Sequence, residues 1–196
     1  RLVLESLRQP LEDRIITISR AQGSLTFPAD FMLIASQNPC PCGYLTDNDR
    51  ECICSQSQIV RYQQKISGPL LDRIDMIINI EKVKTEDLIQ NSEVLEESSE
   101  NIRNRVEKAR AIQRERFQDL GIKTNSSMNI KQIQNICILD KQSQKLLSQA
   151  VSKMNLSARA YNRILKISRT IADLSNSKDI QINHIAEALQ YREKNA

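Results

Sequence analysis

Four cysteines form two C-x-C doublets, Cys40 with Cys42 and Cys52 with Cys54, and nine residues separate the doublets. In an extended chain, residues i and i+2 point to the same side, so each doublet can aim two sulfurs at one point. Gly43, Thr46, Asp47, Asn48 and Asp49 lie between them and favour a turn that brings the doublets together. Four thiolates in tetrahedral array suit Zn²⁺, and a site filled by four protein ligands is structural rather than catalytic. The alternatives are four reduced, uncoordinated thiols or two disulfides. Nothing marks the chain as secreted, which weighs against disulfides.

Two further residues stand where chemistry is done. Asn38 follows the apolar run Phe31-Met32-Leu33-Ile34-Ala35, which has Pro28 before it and Pro39 after Asn38. A short continuous apolar run between turn residues reads as a strand buried on both faces, as in a parallel sheet. Ligands of open α/β sheets bind at the carboxyl ends of strands, where Asn38 would stand. The plainer reading of Asn38 is a turn residue before proline. Arg73 lies in Ser67-Gly68-Pro69-Leu70-Leu71-Asp72-Arg73-Ile74-Asp75. An arginine at the edge of a rigid element can offer its planar fork to a phosphate. By spacing alone, pairing with Asp72 or Asp75 is the stronger reading.

The elements around these residues follow from periodicity. Leu2, Leu4, Leu7 and Leu11 predict a helix over residues 1–13, with Pro10 warning of its end. Ile15–Ser19 is β-branched and strand-like, Ala21–Ser24 a turn, and Leu25–Phe27 a returning hairpin partner. Residues 55–65 read as a short amphipathic helix through Ile59 and Tyr62, whose basic residues could line a subunit interface or a nucleic-acid path. Met76–Ile80 reads as the last strand, and Lys82–Asn91 as a short helix. The acidic, Ser-rich stretch from Glu93 to Glu100 marks a linker.

The remainder is predicted to be helical. Ser98 or Ser99 caps a helix running to about Gln118, with Ile102, Val106, Ala109, Ile112 and Phe117 on one side. Its other face alternates Arg103, Arg105, Lys108, Arg110, Arg114 and Arg116 with glutamates, which predicts a solvated, ion-paired surface. Shorter helices follow from Asn129 and from an Asp140 cap. Ser157 caps a helix over Ala158–Leu174, and Asn183 caps the last one. Cys137 reads as a small core residue. His184, the single histidine, reads as exposed and without a metal partner.

The 196 residues allow one or two domains with real cores. Hydrophobic residues make up 40% and aromatics only 4%, so those cores are aliphatic. The net charge of +4 is too mild to imply nucleic acid by itself. No apolar stretch approaches the roughly 20 residues of a membrane span, and the expected compartment is a reducing cytoplasm.

The run N-P-C-P-C-G, then C-x-C-S, then S-G-P-L-L-D-R-I-D resembles the magnesium-chelatase-like AAA+ ATPases of the ComM/YifB type. The segments L-R-Q-P-L-E-D from Leu7, L-S-A-R-A-Y from Leu156, R-T-I-A-D-L from Arg169 and E-A-L-Q-Y-R from Glu187 extend that resemblance along nearly the whole chain. It implies the distal part of an AAA+ α/β core with a cysteine-rich hairpin over residues 1–83, a linker region over 84–100, and an all-α lid over 101–196. It implies that Asn38 is the sensor-1 residue orienting the attacking water. It makes Arg73 the arginine finger that acts on ATP bound to the neighbouring subunit. Arg159 becomes the sensor-2 arginine of the lid, with Arg163 the second choice. The hairpin before sensor 1 would point into the ring's pore, where Arg20 and Gln22 could touch DNA.

The resemblance further implies ATP with Mg²⁺ as cofactor, assembly with copies of itself into a ring, expected to be a hexamer, and DNA as partner. Neither a Walker A motif, G-x-x-x-x-G-K-[ST], nor the acidic run of a Walker B strand occurs in these residues, so this chain alone is expected not to hydrolyse ATP. It is expected to be the carboxyl-terminal part of a longer protein. The function implied is a DNA-translocating or branch-migration motor of natural transformation. The competing readings are a metal-insertion subunit of chelatase type and a non-enzymatic module in which the cysteine hairpin docks a partner.

Overall fold

The computed structural model describes residues 2–47, 49–80 and 97–192. The chain divides into two compact units, Arg1–Ile74 with Asn79–Leu88 and Asp75–Ile78 with Ile89–Ala196. The helix expected over Lys82–Asn91, and most of the expected linker, lie outside the described residues.

The first unit opens with two short helices, α1 (Leu2–Glu5) and α2 (Arg8–Asp13), where the sequence predicts one. Pro10 does not end a helix. It is the third residue of α2, in the first turn, where a missing N–H breaks no intrahelical hydrogen bond. Instead α2 ends at Arg14, which takes left-handed backbone (φ 59°) and donates its N–H to the Pro10 carbonyl. The predicted hairpin is present. β1 (Ile15–Arg20) pairs antiparallel with β2 (Gly23–Pro28) in the register Ile16↔Phe27, Ile18↔Leu25 and Arg20↔Gly23. Gly23, with φ 141°, supplies the turn conformation that a side chain would resist.

Two predicted strands are not strands. Phe31–Ala35 runs without a pairing partner among the described residues, and Met32 and Ile34 are each 83% exposed. Met76–Ile80 likewise joins no strand ladder among the described residues, its Ile77 N–H going to the Tyr191 carbonyl at 2.8 Å, and Met76, Ile78 and Ile80 are exposed. A strand exists only against a neighbour that takes its hydrogen bonds, and apolar runs by themselves cannot supply one. Two more helices follow the cysteine segment. α3 (Gln56–Gln63) is capped by Ser55, whose Oγ accepts the Gln58 N–H, while the Gln58 side chain answers the Ser55 N–H. α4 (Gly68–Leu71) is capped by Ser67 in the same manner, through the Leu70 N–H.

The second unit is helical among its described residues: α5 (Ser99–Arg116), a 3-10 turn at Asn125–Ser127, α6 (Ile130–Ile136), α7 (Lys141–Lys153), α8 (Ala158–Leu174) and α9 (Ile182–Gln190). Ser98, Asn129, Asp140 and Ser157 cap four of these helices, each accepting a backbone N–H three residues on. Phe117, Ile133, Leu147, Ile164, Ala172, Ile185 and Ala188 close one aliphatic core. Burial of each larger side chain contributes about 1.5–3 kcal/mol. The core takes only the carboxyl-terminal part of α5, since Ile102 and Val106 remain 42% exposed. Asn183 is not the cap of α9: Gln181 stands there, its N–H donated to Nδ1 of His184 at 3.1 Å. His184 is therefore buried, contrary to expectation, because its ring closes the helix start over the core. Cys137 is buried as expected, with its thiol donating to the Leu165 carbonyl. Burial first of all pushes that thiol up to about 11.

Candidate functional site

The cysteine segment folds back on itself as a loop without a strand ladder. Gly43 takes φ 85° and donates its N–H to the Cys40 carbonyl at 3.1 Å, which turns the chain after the first doublet. Asp47 Oδ1 then accepts the N–H groups of Asp49 and Arg50 at 2.9 and 3.2 Å. Arg50 returns across the loop, stacked 4.1 Å from the Tyr44 ring centre and bonded to its hydroxyl at 2.7 Å. Gln63, at the far end of α3, donates to the Pro39 carbonyl at 3.3 Å and ties the start of the loop to that helix.

These turns bring together all four predicted sulfurs. Cys40 to Cys42 is 3.4 Å, Cys40 to Cys52 3.7 Å and Cys42 to Cys52 3.6 Å, and the four ligand atoms lie within 4.8 Å of one another. A tetrahedron with Zn–S bonds of about 2.3 Å has sulfur–sulfur edges of about 3.8 Å, so the thiol set fits the ion. No cysteine of the chain is disulfide-bonded. The Tyr44 N–H, aimed at the sulfur, lowers Cys42 to about 6. The Cys54 N–H pulls Cys52 the same way, but desolvation and the neighbouring sulfurs outweigh it and push that thiol up to about 12. Without an ion, crowded thiols resist becoming several thiolates at once.

Asn38 is exposed and stands on the rim of a cleft of about 430 Å³, lined also by Gln37, Cys42, Gly43, Tyr44 and Asp47. Asn38 and the cysteine cluster are thus parts of one loop system. Arg73 reaches groups beyond the two aspartates beside it. Its Nη1 donates to the Pro69 carbonyl at 2.6 Å, and its Nη2 meets the carboxylate of Glu12. The side chain is only 12% exposed. Asp75 is instead bound by Arg163, at 2.5 Å. Arg159 is exposed in the first turn of α8, next to its Ser157 cap. Arg20 and Gln22 are exposed at the end of the β1–β2 hairpin.

One constellation goes beyond the sequence reading. Asp173, buried in α8, accepts from Arg116, from Asn125 Nδ2 at 2.8 Å and from Arg169 Nε at 3.1 Å. Arg169 spends its other nitrogens on the Lys178 and Ser177 carbonyls. Arg116 therefore leaves the solvated face predicted for it. The available signal was Arg169-x-x-x-Asp173 continuing the stripe of Leu165, an ion pair at helical spacing on an apolar face.

Residues 1–88 match the family model described as magnesium chelatase, subunit ChlI, and residues 96–192 match magnesium chelatase, subunit ChlI C-terminal. The chain belongs to the magnesium-chelatase-like family. It is 44% identical over 192 residues to the competence protein ComM of Haemophilus influenzae, covering 98% of this chain and 36% of that relative. It is 35% identical to YifB of Escherichia coli and 33% identical to an uncharacterised protein of Mycobacterium tuberculosis, covering 98% of this chain and 37% of each. The chain thus spans little more than a third of the length of these curated relatives. The helical second unit agrees with the carboxyl-terminal model of the family. Among the described residues no helix is long and apolar enough to cross a membrane.

Proposed function

We propose that this chain is the distal part of an AAA+ motor that couples ATP hydrolysis to movement along DNA. The observation that carries the reading is the family match itself, which runs through Asn38 and Arg73 in the first unit and Arg159 in the second. Asn38 acts as sensor 1. Its amide, exposed at the mouth of the cleft, holds the attacking water by hydrogen bonds. Arg73 acts in trans as the arginine finger and stabilises the charge that develops on a neighbour's γ-phosphate. Arg159 acts as sensor 2 from its exposed position in the first turn of α8. Mg²⁺ and the remaining phosphate-binding groups belong to residues outside this chain, which by itself does not turn over ATP.

Cys40, Cys42, Cys52 and Cys54 hold Zn²⁺, which gives the loop a fixed shape next to Asn38. The ring is built of copies of this protein, six by expectation, and works in the cytoplasm. DNA passes through its centre, touched by Arg20 and Gln22. Similarity to a competence protein over 98% of the chain supports DNA as the track rather than a porphyrin as client. The cysteine cluster supports one other reading, a zinc loop that docks a partner without catalysis. Replacing Arg73 in the full-length protein separates the two. For the motor, Arg73→Ala lowers ATP turnover about 10³–10⁵-fold while ATP binding stays near normal. Retained turnover would remove Arg73 from the role of finger.

A further inference from the structure

Arg73 follows α4, a single helical turn, and one turn cannot hold a long side chain still by itself. The chain supplies a second element. On α2, Arg8 and Glu12 are four residues apart and so share a face. Arg8 Nη2 donates to Ser67 Oγ at 3.0 Å, at the amino-terminal end of α4, and is itself held by Glu5 at 2.5 Å. Glu12 meets Arg73 just beyond the other end of α4. The helix α2 therefore grips α4 at both ends through two side chains one turn apart. The Pro69 carbonyl takes Nη1 of Arg73 and Glu12 takes Nη2, so the plane of the guanidinium is fixed from two directions.

From this geometry we infer that Glu12 is a positioning residue for the finger. The inference rests on the reading of Arg73 given above. An arginine carries its five N–H donors in one planar fork. Its bidentate recognition of phosphate depends on the orientation of the fork. A finger whose rotamer is set beforehand spends less entropy when the neighbour's γ-phosphate arrives. Glu12 thus acts through Arg73 and needs no contact with nucleotide.

The test is steady-state ATP turnover and ATP affinity of the full-length protein carrying Glu12→Gln, Glu12→Asp or Arg73→Ala. Glu12→Gln should lower kcat on the order of tenfold, with KM and ATP affinity nearly unchanged, since only preorganisation is lost. Glu12→Asp keeps the charge and should recover part of that loss, which a purely structural role would not explain. Wild-type kcat in Glu12→Gln, with Arg73→Ala inactive, would overturn the positioning role and leave the finger standing. A rise in kcat would overturn it too, because Glu12 would then be withdrawing Arg73 from its neighbour. Activity retained in Arg73→Ala would remove the finger and this inference together.

Discussion

Arg116 Nη1 donates to Asp173 Oδ2 at 2.8 Å, although the two residues are 57 positions apart. The pair joins the end of α5 to the carboxyl-terminal end of the core helix α8, with Asn125 and Arg169 on the same carboxylate. Removing one partner of a buried, hydrogen-bonded ion pair leaves its neighbours charged and unsatisfied. We expect Asp173→Asn to destabilise the second unit by about 3–5 kcal/mol, read as the shift of its denaturant midpoint. A change below about 1 kcal/mol, the level of exposed pairs, would mean the network is better solvated than its burial indicates.

Acid should unfold this unit from two directions of the same sign. Burial by itself would raise Asp173, but Arg116 and Asn125 outweigh it and hold the carboxyl below its usual 3.8. Burial and the charge of Arg169 lower His184 below 6.5. In both cases the unfolded chain binds the proton more readily, so stability falls as pH falls. The histidine contribution is complete above about 6.5 and is lost below it, and the aspartate contribution follows below about 3.8. Melting temperatures measured between pH 8 and 5 should therefore decline for the wild type. His184→Gln, starting from lower stability, should give a flatter profile in that range. A wild-type profile that rises toward acid would contradict the assignment.

The zinc reading predicts close to one Zn²⁺ per chain in protein purified without chelator. Removing the ion, or making Cys52→Ser, should loosen the loop while the second unit keeps its own melting transition. Hydrogen exchange across residues 40–54 would show the change. Zinc content near zero in the untreated protein would exclude the assignment.

How much of this was legible in the sequence depends on how local each signal is. The caps at Ser98, Asp140 and Ser157, the hairpin and the convergence of the cysteines are each written within about fifteen residues, and the structure has them. The strands expected at Phe31–Ala35 and Met76–Ile80 were read from apolar content, but pairing is a property of two segments, and no partner strand is among the described residues. Pro10 misled because its effect depends on its distance from the helix start. His184, Arg116 and Glu12 were missed for one reason: each takes its role from a partner on another part of the chain or from the core it covers. The family resemblance named Arg73 without showing what holds it.

The proposed contact of the hairpin with DNA makes a graded prediction. Arg20→Ala in the full-length protein should weaken DNA binding for all sequences alike and reduce the salt slope of binding by about one. An unchanged slope would take Arg20 off the DNA path.

The most direct test of the motor is the ATP turnover of the full-length protein, measured alone and with single-stranded or branched DNA. A DNA-driven motor predicts strong stimulation by DNA, abolished in Arg73→Ala. A rate indifferent to every DNA form would contradict the motor and would move the search to a protein or metal-cofactor client.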